Sequence, residues 1–270
     1  MTAEWAFALA AACVVLAWII GAPLVAARRR RALLARPLTA AQRQVLDTWL
    51  PCPSPLPPEL RDRLERLVSV FVGEKEFVGC GGLAVTPEMK VAIAAQACLL
   101  VLGRDTHVYD RLRSLLVYPS QFVVPGEWSD EHGVVTSESR VLAGETWDVS
   151  RIVLSWEDVE SRGTAGEPFN VLIHEFAHYL DHESGGAPWA RDAAARKRWQ
   201  GLLEEELRAL RAQVDAGEQT LLDPYAAEDR GDFFAVTSEA FFEEPAALAR
   251  RKPALYRALA DVYRLDPAAW

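Results

Sequence analysis

Residues 171–181 read Val-Leu-Ile-His-Glu-Phe-Ala-His-Tyr-Leu-Asp and contain His174-Glu175-x-x-His178. On a helix, positions i and i+4 stand one above the other on the same face, so imidazoles at this spacing can grip one Zn²⁺. Glu175 lies one step, about 100°, round the helix and can reach a water on such a metal without being a ligand. This short stretch therefore offers a pair of metal ligands and a general base. Its flanks are apolar: Val171, Leu172 and Ile173 before, Phe176, Ala177 and Leu180 after. So apolar a helix is expected to be buried, and buried His and Glu need partners. The chain has only five histidines. That two of them fall at ligand spacing weighs against a chance match on a charged surface helix.

A catalytic zinc usually has three protein ligands and an open position, so a further ligand must come from elsewhere. In Phe233-Phe234-Ala235-Val236-Thr237-Ser238-Glu239-Ala240-Phe241-Phe242, Glu239 is the lone carboxylate among residues that are apolar or small and neutral. A buried carboxylate is costly unless a cation or hydrogen-bond donor meets it, and a Zn²⁺ on His174 and His178 would do so. The alternative for Glu239 is the exposed stripe of an amphipathic helix. Asp232, Glu228, Asp229 and Glu243 are rivals near helix ends, and His107, His132 and His182 are others. Asp181 lies close to the ligand face. It is placed either to fix the tautomer of a ligand imidazole or simply to end the helix. Tyr225 is a candidate donor to the oxyanion of a tetrahedral intermediate, against the commoner role of a loop or core tyrosine. The run Val153-Leu154-Ser155-Trp156 reads as a strand just before the metal helix, able to pair with an extended peptide if it forms a sheet edge.

The chain has 270 residues, half of them hydrophobic and a quarter charged, which describes a globular body. The net charge of −9 hides an asymmetry: residues 1–36 hold five arginines and one glutamate, leaving 24 basic against 37 acidic residues in the rest. An acidic body argues against nucleic acid as a partner. The cysteines Cys13, Cys52, Cys80 and Cys98 form no C-x-x-C pair, which speaks against a thiolate zinc site and a disulfide framework.

Residues 5–27 carry no charged side chain. As a helix they would span roughly 34 Å, enough for a bilayer core. Arg28-Arg29-Arg30-Arg31 follows at once. Basic residues stay on the cytoplasmic side, which predicts one span with the N-terminus outside and the body in the cytoplasm, anchored to the inner membrane. Residues 1–36 form this anchor with its basic juxtamembrane segment, and 37–270 the catalytic domain. Helices are expected over 41–50, 60–72, 88–102, 170–182, 188–216, 231–243 and 245–263. Prolines at 51–58 break the first from the second. Short β-rich runs at 115–118, 122–124, 134–137, 140–142 and 151–156, separated by Pro125-Gly126, His132-Gly133 and Gly144, predict a small, mixed or largely antiparallel sheet.

Several separated strings resemble, in order, the Mlc titration factor A (MtfA) family of bacterial zinc-dependent peptidases. They are Phe77-Val78-Gly79-Cys80-Gly81-Gly82-Leu83, Ala94-Ala95-Gln96-Ala97-Cys98-Leu99-Leu100, Tyr118-Pro119-Ser120, Val153-Leu154-Ser155-Trp156-Glu157-Asp158, His174-Glu175-Phe176-Ala177-His178 and Phe233-Phe234-Ala235-Val236-Thr237-Ser238-Glu239. The resemblance covers roughly residues 45–265. It implies an α+β, zincin-like metallopeptidase core, one Zn²⁺ on His174, His178 and Glu239, and a catalytic Glu175. It also implies peptide or protein substrates. Members are described as anti-repressors too, so the alternative is a zincin-fold protein that binds a cytoplasmic transcriptional regulator, with weak or vestigial hydrolysis. The sequence departs from the family in its apolar N-terminus. It departs again at Glu228-Asp229-Arg230-Gly231-Asp232, which is more acidic and glycine-bearing than the usual Asn-Pro-x-Glu-like stretch.

Overall fold

A computed structural model of the chain describes residues 24–104, 106–120, 150–161 and 170–270, with positions 13, 18, 21 and 22. Residues 24–34 are helical (α1). Then follow α2 (Ala40–Trp49), α3 (Pro58–Glu74), β1 (Glu76–Gly79), α4 (Pro87–Leu100), β2 (Ser114–Tyr118), β3 (Arg151–Ser155), α5 (Trp156–Ser161) and α6 (Val171–Ser184). The chain closes with α7 (Ala193–Asp215), α8 (Arg230–Glu243), α9 (Pro245–Arg251) and α10 (Pro253–Tyr263). The body is mostly helical with one small sheet, the class expected.

Local chemistry sets the helix starts. Thr39 and Thr86 cap α2 and α4 through their hydroxyls, and Pro87 at the first position of α4 has no N–H to leave unpaired. Helix α4 is apolar almost all round, and Met89 and every residue from Val91 to Leu100 are buried. It packs against α2, α3 and α6 and is the centre of the core. Phe71 of α3, Tyr109 and Phe176 of α6 meet edge to face, with ring centroids 5.6–5.9 Å apart. This trio holds the metal helix against the core. The last expected helix is two: Pro253 lacks the N–H that would continue α9, and the chain turns into α10.

The sheet corrects the expectation of antiparallel pairing. Its order is β1-β2-β3, and both pairs are parallel, with Glu76 opposite Ser114 and Ser114 opposite Arg151. The reason is the crossover. Helix α4 lies between β1 and β2, and a parallel return needs a connection of about a dozen residues or more, which α4 supplies. Strand β1 is short and runs straight into the glycine loop at 79–82, so its pattern is too brief to read. The runs at 122–124, 134–137 and 140–142 lie outside the described residues. Trp156 does not extend β3; it opens α5 and its ring lies tilted against that of Trp49 of α2, centroids 5.6 Å apart.

Most of the span expected over 5–27 also lies outside the described residues. Among the described residues no helix is long and apolar enough to cross a membrane. The basic segment after it is partly engaged with the body. Arg29 donates to the Gly73 carbonyl at 3.0 Å and Arg30 pairs with Glu74 at 3.2 Å. Cations at the carboxyl end of α3 are favoured by its unpaired carbonyls and dipole.

Gly103 lies in the turn after α4, against the end of α10. A Cβ there would lie 2.4 Å from the Tyr263 carbonyl oxygen and 2.5 Å from that of Arg264. Backbone atoms cannot swing aside as a side chain can. Gly103→Ala is therefore expected to destabilise by about 1–3 kcal/mol, the scale of overpacking. Urea unfolding checks it, through a lower midpoint at unchanged slope.

Candidate metal centre

Two helices build the site. Asn170 caps α6 by accepting the Ile173 N–H on its side-chain oxygen at 3.2 Å. Asp229 caps α8 by accepting the Asp232 N–H at 2.9 Å. Helices α6 and α8 then pack along their lengths, so the ligand face of one meets the first turns of the other.

The Nε2 atoms of His174 and His178 face each other at 3.0 Å. Asp232 Oδ1 lies 3.2 Å from His178 Nε2 and 3.7 Å from His174 Nε2. These are the ligand atoms that stand close enough together to share an ion. With metal–nitrogen bonds of about 2.0–2.1 Å, the edge of a tetrahedral site is roughly 3.3 Å. The observed triangle brackets that edge, so these residues fit a tetrahedral metal with its fourth position open.

Glu239 meets the other side of the same imidazole. His174 Nδ1 is 2.8 Å from Glu239 Oε1. The Asn170 backbone N–H donates to Glu239 Oε2 at 2.7 Å, and the Asn170 amide donates to Glu243 at 2.9 Å. A proton on Nδ1 donated to Glu239 would leave the Nε2 lone pair to a metal ion at this site. The hydrogen bond to a ligand-face imidazole considered for Asp181 is made by Glu239. Asp181 makes no such bond, and its Oδ1 is buried without a hydrogen-bond partner among the described residues. Asn170 escaped the sequence reading; its only visible sign was a cap-type residue directly before the apolar helix.

Burial acts to lower the His174 pKa, but hydrogen bonds to Asp232 and Glu239 outweigh it and carry it up to about 9. Burial would raise Asp232, yet the same imidazoles hold it well below the usual carboxylate range. Glu175 behaves oppositely: burial raises it, His174 and His178 oppose the shift, and Asp232 and Glu239 reinforce it. Tyr225, half exposed, has its ring 6.0 Å from that of His174. Burial and the nearby Asp232 raise its phenol, keeping the O–H available to donate. Strand β3, with Val153, Leu154 and Ser155, packs beside α6 and has no strand on its outer side among the described residues.

Of the rival ligands, Asp232 joins the centre and the described histidines among them do not. His107 is exposed and pairs with Asp110 at 2.7 Å, and His182 is exposed near the end of α6. His132 lies outside the described residues.

Residues 24–264 match the family of glucose-regulated metallo-peptidases M90. The chain belongs to this family. It is 36% identical to an uncharacterised protein of Synechocystis sp., with 94% of each chain covered. It is also 36% identical to the Mlc titration factor A of Serratia proteamaculans, over 84% of this chain and 90% of that one. The Pectobacterium atrosepticum protein of the same name is 36% identical over 84% and 89%. The M90 match begins at residue 24. It contains both helices of the centre and the three described strands.

Gly231 sits against the His178 ring. A Cβ there would lie 3.3 Å from its Nδ1 and Cε1 and 3.2 Å from Asp229 Oδ1. Alanine suits a helix better than glycine. Gly231→Ala is therefore expected to leave the fold intact while displacing His178 and weakening metal affinity about tenfold. Competition against a chromogenic chelator measures it, with the unfolding midpoint as control.

Proposed function

We propose that this chain is a zinc peptidase in which His174, His178 and Asp232 hold the ion and Glu239 orients His174. The observation that carries the reading is the convergence of the two Nε2 atoms and Asp232 Oδ1 beside Glu175. When bound, such an ion supplies Lewis acidity, polarising a carbonyl and acidifying water. Glu175 takes the proton of the attacking water on its carboxylate and returns it to the leaving amine; a carboxylate raised by burial is suited to both transfers. Tyr225 donates its phenolic proton toward the developing oxyanion. The outer side of β3 aligns an extended peptide by backbone hydrogen bonds through Val153 and Ser155.

The second reading is a regulator-binding protein with weak hydrolysis, favoured by the name of the relatives, Mlc titration factor A. A carboxylate at position 175 would serve no purpose in pure metal scaffolding, which places hydrolysis first. The uncharged stretch at 5–27 and the arginines after it support a single-pass inner-membrane anchor with the active domain in the cytoplasm.

Metal analysis and cleavage of a mixed peptide library test the assignment. Glu175→Gln should keep one zinc per chain and lose turnover by about 10²-fold or more. Asp232→Ala should lose the metal, whereas Glu239→Ala should only weaken it, by about 10–100-fold. Full cleavage by Glu175→Gln would remove that residue from the mechanism. Metal lost in Glu239→Ala and kept in Asp232→Ala would make Glu239 the ligand.

A further inference from the structure

A cavity of about 520 Å³ opens where the α6–α7 connection and the first turns of α7 meet the carboxyl end of α10. It shares no lining residue with the metal centre. Its volume lies within the range of small-molecule sites, about 300–1,000 Å³.

The cavity is basic, although the chain as a whole carries a net charge of −9. Arg104, Arg191, Arg198 and Arg264 line it, against the single carboxylate Asp261. Arg104 is committed to the fold: it donates to the Val262 carbonyl at 2.7 Å and to that of Asp261, and lies over the Trp189 ring at 5.2 Å. Arg191, Arg198 and Arg264 make no ion pair or hydrogen bond through their side chains among the described residues. Burial, then Arg264 and Arg191, depress Arg104 to about 10. Like charges are thus gathered close enough to disfavour one another, and Asp261, which opposes the shift, offsets them only in part.

The remaining walls are apolar: Trp189, Trp199, Leu202 and Val262. Trp199 is more than nine-tenths buried, and its indole N–H has no partner among the described residues. The backbone is strained here too. Trp189 and Arg264, at φ 54° and 52°, are the non-glycine residues with positive φ among those described, and both line this cavity. Arg264 takes this conformation as the left-handed cap of α10, which turns the backbone out of the helix at the cavity wall. The arginines come from three distant parts of the chain, and only folding brings them to one cavity.

We propose that this cavity binds a small organic phosphate, its phosphoryl group held by Arg191, Arg198 and Arg264 and its apolar part against Trp189, Trp199 and Leu202. Three uncommitted guanidinium groups against one carboxylate leave an excess that a dianion matches better than a monoanion. Guanidinium forks also fit phosphoryl oxygens in pairs.

Isothermal titration of the full chain with phenyl phosphate tests this, with benzoate and inorganic phosphate as comparisons. Phenyl phosphate should bind once per chain. Benzoate, a monoanion, and inorganic phosphate, which lacks the ring, should each bind about tenfold more weakly or worse. The exposed double variant Arg191→Ala/Arg198→Ala should lose at least tenfold in affinity for phenyl phosphate at an unchanged unfolding midpoint and metal content, and Asp261→Asn should tighten it. No saturable binding of phenyl phosphate at millimolar concentration would overturn the proposal. So would binding that survives the double variant but disappears on chelation, which would place the phosphoryl group on the metal centre. Equal affinity for benzoate would overturn the phosphate assignment.

Discussion

The contact on which the site depends is the buried pair of His174 and Glu239. Both side chains are almost wholly withdrawn from water, and neither is tolerable there alone. The imidazole supplies a donor to one carboxylate oxygen, and the Asn170 N–H supplies a donor to the other. One residue, Asn170, therefore starts α6, satisfies Glu239 and reaches Glu243. These bonds fix the separation and rotation of α6 and α8, and with them where Asp232 meets the two Nε2 atoms.

The surrounding core keeps that geometry rigid. Helix α6 is held from one side by α4 and the Phe71–Tyr109–Phe176 trio. Helix α8 is held by α7, α9 and α10. Tyr263 lies within 5.4 Å of Phe241 and 5.0 Å of Phe242, and its hydroxyl donates to Ser238 at 2.7 Å. Ser238 directly precedes Glu239, so α10 buttresses the residue bonded to His174 Nδ1. The same Tyr263 ring packs edge-on against Trp189 at 6.3 Å, and its backbone carbonyl limits what fits at position 103. The metal centre and the basic cavity are thus built on opposite dependents of one C-terminal helix.

Charge is distributed to match. Around the converging imidazoles stand Glu175, Asp232 and Glu239, the charge that a divalent cation there would require. At the cavity, arginines outnumber acids within a chain that is acidic as a whole. Near the N-terminus, Arg29 and Arg30 are drawn onto the end of α3, which leaves less of the basic run free for a lipid surface than its sequence suggests.

The sequence by itself determined most of the helices and their order, apart from α5 and the α9–α10 break, because caps, prolines and a strong 3.6-residue pattern are local. It determined the metal helix, since i and i+4 share a face whatever surrounds them. It also marked Glu239 as a buried carboxylate in need of a donor. Only the tertiary structure decided which donor. Asp232 and Glu239 are seven residues apart, two helical turns, so both look out on the same face of α8 and periodicity cannot separate them. How far α8 is slid along α6 puts Asp232 at Nε2 and Glu239 at Nδ1, and packing sets that slide. The parallel sheet was likewise a matter of the path of α4, which strand patterns do not encode. The cavity needed most from folding: Arg104, Arg191, Arg198 and Arg264 carry no shared motif, and their charges meet only because α7 and α10 pack side by side.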